Sequence, residues 1–124
     1  MAPVLAGIPL FDFSAGFLLV GPNAPKSLVA AVRAAISSLP SKILAARVRA
    51  VLACDVRAKL GQVAVPILYL QATRDRLVDP ACLEEIRRIR PRTEVATVAG
   101  PHLILQSEPE QAAEVIMRFT EQRR

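Results

Sequence analysis

One stretch indicates the fold of this chain, residues 66–105, which reads PILYLQATRDRLVDPACLEEIRRIRPRTEVATVAGPHLIL. Within it, Ile67–Leu70 is a continuous apolar run, which is typical of a strand covered on both faces. Pro80–Arg90 is predicted to be a helix, and Glu94–Val98 a second, shorter strand. A strand, a helix and another strand in this order favour a parallel pair, because parallel strands need a long crossover connection. We therefore predict an α/β fold with two parallel strands and flanking helices.

A polar turn follows each predicted strand. Asp75 lies in the first turn, and His102, the only histidine of the chain, lies in the second. The carboxyl ends of neighbouring parallel strands meet at one edge of a sheet, so we expect the two side chains to lie close together. The spacing alone leaves a second interpretation open, in which His102 serves only its own turn and Asp75 forms an ion pair with Arg74 or Arg76.

Composition and charge are those of a single globular domain. Of the 124 residues, 52% are hydrophobic and 22% are charged, which is enough apolar material for a core. The net charge is +5 and the isoelectric point is near 10.0. However, the basic residues are spread through helical segments, alternate with acidic ones from Glu84 onward and lack aromatic platforms. This pattern argues against nucleic acid as a partner.

The two cysteines, Cys54 and Cys82, do not form a metal-binding motif. They have no Cys-x-x-Cys spacing and no histidine cluster beside them, so we expect neither a metal site nor another cofactor. Both fall in apolar helical segments. We expect buried, free thiols in a reducing compartment.

The first twenty residues are apolar, but they do not have the pattern of a membrane span or a signal peptide. No Lys or Arg lies near Met1, and Pro3, Pro9 and Asp12 interrupt the apolar runs. Those runs are far shorter than the roughly 20 residues that a spanning helix needs. We therefore expect a soluble, cytoplasmic protein with no membrane partner.

Helical patterns precede and follow the central stretch. A first helix ends at Pro40, a second opens at Ser41, and a short third covers Asp55–Leu60. One face of the second helix carries apolar side chains at helical spacing, namely Leu44, Val48, Val51 and Leu52. Ser107, with Glu110 three residues later, forms a capping-box pattern that opens the last helix.

Asp79 competes with Asp75 as the acid of its turn. We assign Asp79 to the cap of the following helix, because Pro80 suits a first helical position. Asp55 is assigned to a helix cap in the same way. The inward face of the helix after Pro80 is expected to consist of Cys82, Ile86 and Ile89.

Two runs of sequence resemble the C-terminal part of alpha/beta-hydrolase-fold proteins: VAVPILYLQATRDRLVDP, residues 63–80, and VATVAGPHLILQSEP, residues 95–109, with a closing amphipathic helix after them. Those proteins commonly show a Val-Pro strand, the pattern G-x-x-D-x-L-V, another strand, the pattern G-x-H and a last helix. In this chain, Ala72 stands where the glycine of the first pattern often is, and Pro101 replaces a small residue in the second. Both patterns occur in the right order and context, which makes the resemblance fairly specific.

The resemblance implies a serine hydrolase that cleaves a small ester or acyl substrate. In such an enzyme, Asp75 would be the acid and His102 the base of a Ser-Asp-His triad. Residues 1–61 would form a helical cap, or lid. Residues 62–124 would form the C-terminal βαβα portion of the hydrolase core.

The nucleophile of that triad has no clear counterpart. The family places it in a G-x-S-x-G turn, and the nearest approach is FDFSAG, residues 11–16. Ser14 matches poorly there, because Asp12 replaces the first glycine and Pro9 interrupts the preceding strand. No candidate for the oxyanion hole is found either.

Two hypotheses follow for the missing nucleophile. The resemblance implies that an upstream, nucleophile-bearing half completes the triad. The alternative is a non-catalytic fragment or interaction module, whose open sheet edge binds another chain or a second copy of this one.

Overall fold

The computed structural model describes residues 16–123 and shows a mixed fold of helices and strands. The elements follow one another as α1 (residues 16–20), α2 (Lys26–Ser37), α3 (Ser41–Ala53), α4 (Arg57–Gln62), β1 (Leu68–Ala72), α5 (Ala81–Ile89), β2 (Glu94–Val98), α6 (Ile104–Ser107) and α7 (Pro109–Glu121). The predicted order of strand, helix and strand is confirmed.

Two parallel strands form the sheet of the described residues. β1 and β2 pair in register, from Leu68 opposite Glu94 to Ala72 opposite Val98. The second strand has the predicted bounds, whereas the first begins one residue later than predicted and runs two residues further. The last two residues of β1 pair because the backbone of β2 continues as far as Val98. Backbone hydrogen bonds of this kind do not depend on which side chains β1 carries there.

The core is small and mostly apolar, with Thr93, directly before β2, as a buried polar residue. Its buried apolar side chains, among the described residues, are Val20 of α1, Leu83 of α5, Val98 of β2, Ile104 of α6 and Ala112 of α7. Val98 is completely buried at the end of its strand. Removing these side chains from water therefore stabilises the region where β2 passes into its following turn.

Helices α2, α3 and α4 contribute no buried residue. Part of the apolar face predicted for the second upstream helix is exposed on α3, where 74% of Val51 and 81% of Leu52 face solvent, whereas Leu44 is half-buried. α4 is held to α5 through Arg57, which forms ion pairs with Asp55 and Glu85. In the described part of the chain, no single helix is long and apolar enough to cross a membrane. α2 and α3 reach that length and composition only together, and a bend of 98° separates them.

The prediction of buried cysteines is wrong. Cys54 and Cys82 are both free and exposed. On α5 the buried residue is Leu83, whereas Ile86 and Ile89 of the predicted inward face are half-buried and Cys82 is exposed. Cys54 lies just after α3, where the backbone becomes extended with φ −75° and ψ 123° and the chain leaves the helix.

Both acids assigned to helix caps accept the expected hydrogen bonds. Oδ1 of Asp79 accepts the amide of Ala81 at 2.8 Å, and Oδ1 of Asp55 accepts the amide of Arg57 at 3.1 Å. Because Asp55 lies before the helix rather than in it, α4 begins two residues later than predicted. In the turn after β1, Asp75 is therefore the acid that does not serve as a helix cap.

The predicted capping box at Ser107 does not form. Ser107 is the last residue of the short α6, and its hydroxyl donates to the carbonyl of Leu103 at 3.0 Å. α7 begins at Pro109, whose nitrogen has no hydrogen to be capped. The proline therefore takes over the start of the helix that the Ser107 and Glu110 pattern was expected to provide.

Candidate active site

The turns that follow β1 and β2 run side by side. Beyond the strand ends, the amide of Thr73 donates to the carbonyl of Val98 at 3.0 Å, and the amide of Arg74 donates to the carbonyl of Gly100 at 2.9 Å. Backbone pairing therefore continues from the parallel ladder into both turns. This pairing brings the polar side chains that follow in the two turns close together at one edge of the sheet.

Asp75 and His102 meet at this edge of the sheet. Nδ1 of His102 lies 2.9 Å from Oδ2 of Asp75. The other carboxylate oxygen, Oδ1, accepts the amides of Leu77 at 2.8 Å and Val78 at 3.0 Å. Both side chains are largely shielded, with 19% of Asp75 and 27% of His102 exposed. The carboxylate is thus oriented by three donors, one of which is the histidine ring.

Hydrogen bonds keep the pKa of Asp75 below its ordinary value. Burial by itself raises the pKa of this carboxyl, but the amide of Val78, the ring of His102 and the amide of Leu77 together outweigh burial. The group is therefore an anion at neutral pH, and an anion only accepts hydrogen bonds. The shared proton is accordingly assigned to Nδ1, which leaves Nε2 of the neutral ring as a proton acceptor.

The two arginines beside Asp75 form no ion pair with it. A guanidinium nitrogen of Arg74 lies 3.4 Å from the carbonyl oxygen of Ala99. The guanidinium carbon of Arg76 lies 4.7 Å from the centre of the Phe17 ring. Of the two interpretations that the spacing left open, the structure shows the contact between acid and histidine.

Backbone groups contribute contacts that the sequence predictions did not include. An aspartate whose side chain binds amides two and three residues later is a local turn motif, so the Asp75 contacts with Leu77 and Val78 had a sequence signal. The carbonyl of Leu19 in α1 accepts the amide of Leu103 at 2.9 Å, directly after His102. This second contact joins distant parts of the chain and had no such signal.

Ser14, the poorly matching nucleophile candidate, lies outside the described residues. Residues 16–123 hold no cluster of three or more His, Cys, Asp or Glu side chains that would bind a metal ion. A half-open, mostly apolar cavity of about 190 Å³ lies between α1 and α2. Its walls include Phe17, Val20, Pro22, Val29 and Arg33.

No protein-family model matches this chain, and no curated protein matches its sequence. Its structure is similar to that of a hydrolase from Oleispira antarctica, with a TM-score of 0.77 and 14% sequence identity. The match covers 90% of this chain and 41% of that hydrolase, so the chain spans about two fifths of the length of the structure it matches. At this identity the likeness shows the fold alone. The chain therefore has the fold of part of that hydrolase.

Proposed function

We propose that this chain carries the acid and the base of a serine hydrolase of the alpha/beta-hydrolase type, which cleaves carboxylic esters or related acyl compounds. The observation that carries the proposal is the 2.9 Å contact between Asp75 and His102 at the ends of two adjacent parallel strands. The structural likeness to a hydrolase supports it at the level of the fold. In this proposal Asp75 is the triad acid and His102 is the base.

The proposed mechanism follows from the proton assignment of the pair. A serine hydroxyl attacks the acyl carbon, and Nε2 of His102 takes its proton. Asp75 holds Nδ1–H in place and stabilises the imidazolium that forms. The imidazolium then gives the proton to the leaving alcohol, and a water molecule activated by the same Nε2 releases the acid. The serine and the oxyanion donors come from a nucleophile-bearing half outside residues 16–123.

The same proposal assigns different roles to the two parts of the chain. Residues 1–61 form the lid over the substrate, and residues 62–124 form the C-terminal portion of the catalytic core. The absence of buried residues in α2, α3 and α4 is in keeping with a lid that packs loosely on its core. The free, exposed thiols of Cys54 and Cys82 fit a reducing compartment such as the cytoplasm.

The test uses the chain isolated from its native host together with any polypeptide that copurifies with it. A fluorophosphonate probe is expected to label one serine of this preparation, and a 4-nitrophenyl ester is expected to be hydrolysed. Changing His102 to Ala should lower kcat by about 10³-fold or more, and Asp75→Asn by about 10²- to 10⁴-fold.

Asp79→Asn is the matched control, because Asp79 is an acid of the same turn that accepts the first amide of α5 instead. It should leave kcat within about twofold. Ester hydrolysis that survives His102→Ala at the wild-type rate would refute the proposal.

A second candidate is an interaction module that binds another chain, or a second copy of itself, along the sheet. Two observations favour it: the sheet of the described residues has two strands and hence unpaired edges, and the flanking Val65 is 65% exposed. Light scattering at rising protein concentration tests self-association, and copurification tests a partner. In this case Asp75→Asn and His102→Ala should leave the association unchanged, whereas a monomer with no copurifying chain would exclude it.

A further inference from the structure

We propose that α1 is a positioning element, which holds the turn of Asp75 and the turn of His102 against each other. The inference rests on the proposed function of that pair and deepens it. Three separate contacts carry it, and each one reaches a residue directly beside, or next but one to, the acid or the histidine in the chain.

The first contact is a backbone hydrogen bond. The amide of Leu103 donates to the carbonyl of Leu19 in α1 at 2.9 Å. Leu103 directly follows His102, so this bond fixes the backbone on the carboxyl side of the imidazole. A backbone bond does not depend on the side chain of Leu19, which explains why the sequence pattern did not indicate it.

The second contact reaches the turn of the acid. The guanidinium carbon of Arg76 lies 4.7 Å from the centre of the Phe17 ring, which is the geometry of a cation–π interaction. Arg76 directly follows Asp75. α1 therefore touches the acid turn through a side chain and the histidine turn through its backbone.

The third contact depends on a glycine. Gly21 has φ +74°, a conformation that other residues rarely adopt, and its amide closes α1 by donating to the carbonyl of Phe17 at 3.1 Å. A Cβ atom added at Gly21 would lie 3.6 Å from Cβ of Pro101. Pro101 directly precedes His102, so the end of α1 lies against the other side of the histidine turn.

These contacts are firmly placed because α1 is anchored in the core. Val20 is 3% exposed and is one of the few buried apolar residues of the described chain. A triad pair functions only when its hydrogen bond keeps a narrow geometry, which requires supporting residues whose own positions are fixed. α1 provides that support from outside the sheet and without contributing a reacting group.

The tautomer of His102 is the direct readout, because His102 is the only histidine in the chain. Ring ¹⁵N chemical shifts distinguish the Nδ1–H tautomer from the Nε2–H tautomer, and the exchange rate of the Nδ1 proton reports how firmly Asp75 holds it. Phe17→Leu keeps an apolar side chain and removes the aromatic face under Arg76. It should raise the exchange rate, or the share of the minor tautomer, by roughly two- to fivefold, as loss of one cation–π contact implies.

Phe119→Leu is the matched control. The chain has a second arginine stacked on a phenylalanine, with the guanidinium carbon of Arg123 lying 3.8 Å from the centre of the Phe119 ring. That pair belongs to the end of α7, where Arg123 also forms an ion pair with Glu94 at the other end of β2 from the site turns. Its loss should leave the His102 signals as they are in the wild type.

Two further variants approach the same contacts from other directions. Arg76→Gln leaves α1 intact and removes the cation, and Gly21→Ala strains the end of α1 beside Pro101. Either should change the His102 signals in the same direction as Phe17→Leu, with circular dichroism showing that each variant is folded. Wild-type tautomer and exchange rate in folded Arg76→Gln and Gly21→Ala would overturn the proposal.

The readout separates this inference from the proposed function. Ring ¹⁵N signals require no ester hydrolysis, so full activity of His102→Ala would remove the hydrolase proposal and leave the support of the pair by α1 standing. Conversely, unchanged signals in the α1 variants would remove the positioning role while leaving the triad assignment intact.

Discussion

The two parts of this chain differ in how they use their apolar residues. From β1 to α7, each of α5, β2, α6 and α7 buries at least one apolar side chain, and together they hold a fixed hydrogen-bonded pair. From α2 to α4, the helices bury none, although α3 carries apolar side chains at helical spacing. On α3, Val51 and Leu52 turn most of their surface to solvent.

This contrast shows that an apolar stripe in the sequence indicates which face of a helix favours burial. It does not indicate whether another part of the chain packs against that face. α5 buries Leu83, whereas α3 buries no side chain. Stability should therefore be concentrated in α1 and the region from β1 to α7, and α2, α3 and α4 should contribute little.

The largest difference should appear when one valine is shortened in each region. Val98 is completely buried, so Val98→Ala leaves a cavity and should lower the free energy of unfolding by about 2 kcal/mol. Val51→Ala makes the same chemical change at a site that is 74% exposed and should stay within about 0.5 kcal/mol of the wild type. Urea unfolding followed by circular dichroism measures both values, and equal losses would remove the contrast.

An intermediate difference, of opposite sign, is expected at two glycines. A Cβ atom at Gly100 would lie 3.0 Å from Cγ of Glu108 and 3.2 Å from Cγ2 of the buried Ile104, so Gly100→Ala should cost about 1 kcal/mol. Among residues 16–123, no atom lies within 4 Å of a Cβ at Gly16, which is helical, so Gly16→Ala should add about 0.5 kcal/mol. Thermal unfolding should move the midpoints of the two variants in opposite directions. A rise of both midpoints would show that the neighbours of Gly100 give way, and a fall of both would contradict the open space at Gly16.

The smallest difference concerns two acids at low pH. The pKa of Asp75 and that of Asp55 both lie below the ordinary value of 3.8, the latter at about 2, because each carboxylate accepts hydrogen bonds that outweigh burial. A lowered pKa stabilises the folded state above pH 3.8, and this stabilisation is lost as the pH falls towards the folded-state pKa. The stability difference between wild type and either Asn variant should therefore shrink on going from about pH 5 downward.

Salt separates these two acids. Asp55 and its partner Arg57 are exposed, so about 0.5 M salt should screen the contribution of Asp55. Asp75 is partly buried and receives two backbone amides, so the effect of Asp75→Asn should persist in salt. Equal sensitivity to salt in urea titrations would contradict the assignment of Asp75 to a shielded site.

Much of the site was predictable because its determinants are local. The strand Glu94–Val98 has the predicted bounds, and parallel pairing requires the turns after both strands to meet at one edge. The meeting of Asp75 and His102 follows from these two facts. The amides of Leu77 and Val78 donate to the carboxylate of Asp75 within the same turn, so these contacts too belong to a local pattern.

What could not be predicted depends on helix rotation or on distant backbone contacts. Whether Cys82 or Leu83 faces the core is a difference of one position along α5, which the sequence pattern does not resolve. The failed capping box shows a competing local signal, since Pro109 starts α7 without it. The bond from Leu103 to the carbonyl of Leu19 carries no side-chain signature at all.

The separation of the acid and the histidine also bears on the order of folding. Asp75 and His102 are 27 residues apart, and both belong to one βαβ unit. Closing a loop of this length costs little more entropy than closing a much shorter one, because the cost rises only with the logarithm of the length. The pair can therefore form as soon as its own unit condenses and α1 packs on it, without waiting for α2, α3 and α4. We therefore expect the acid and the base to come together in the same folding step.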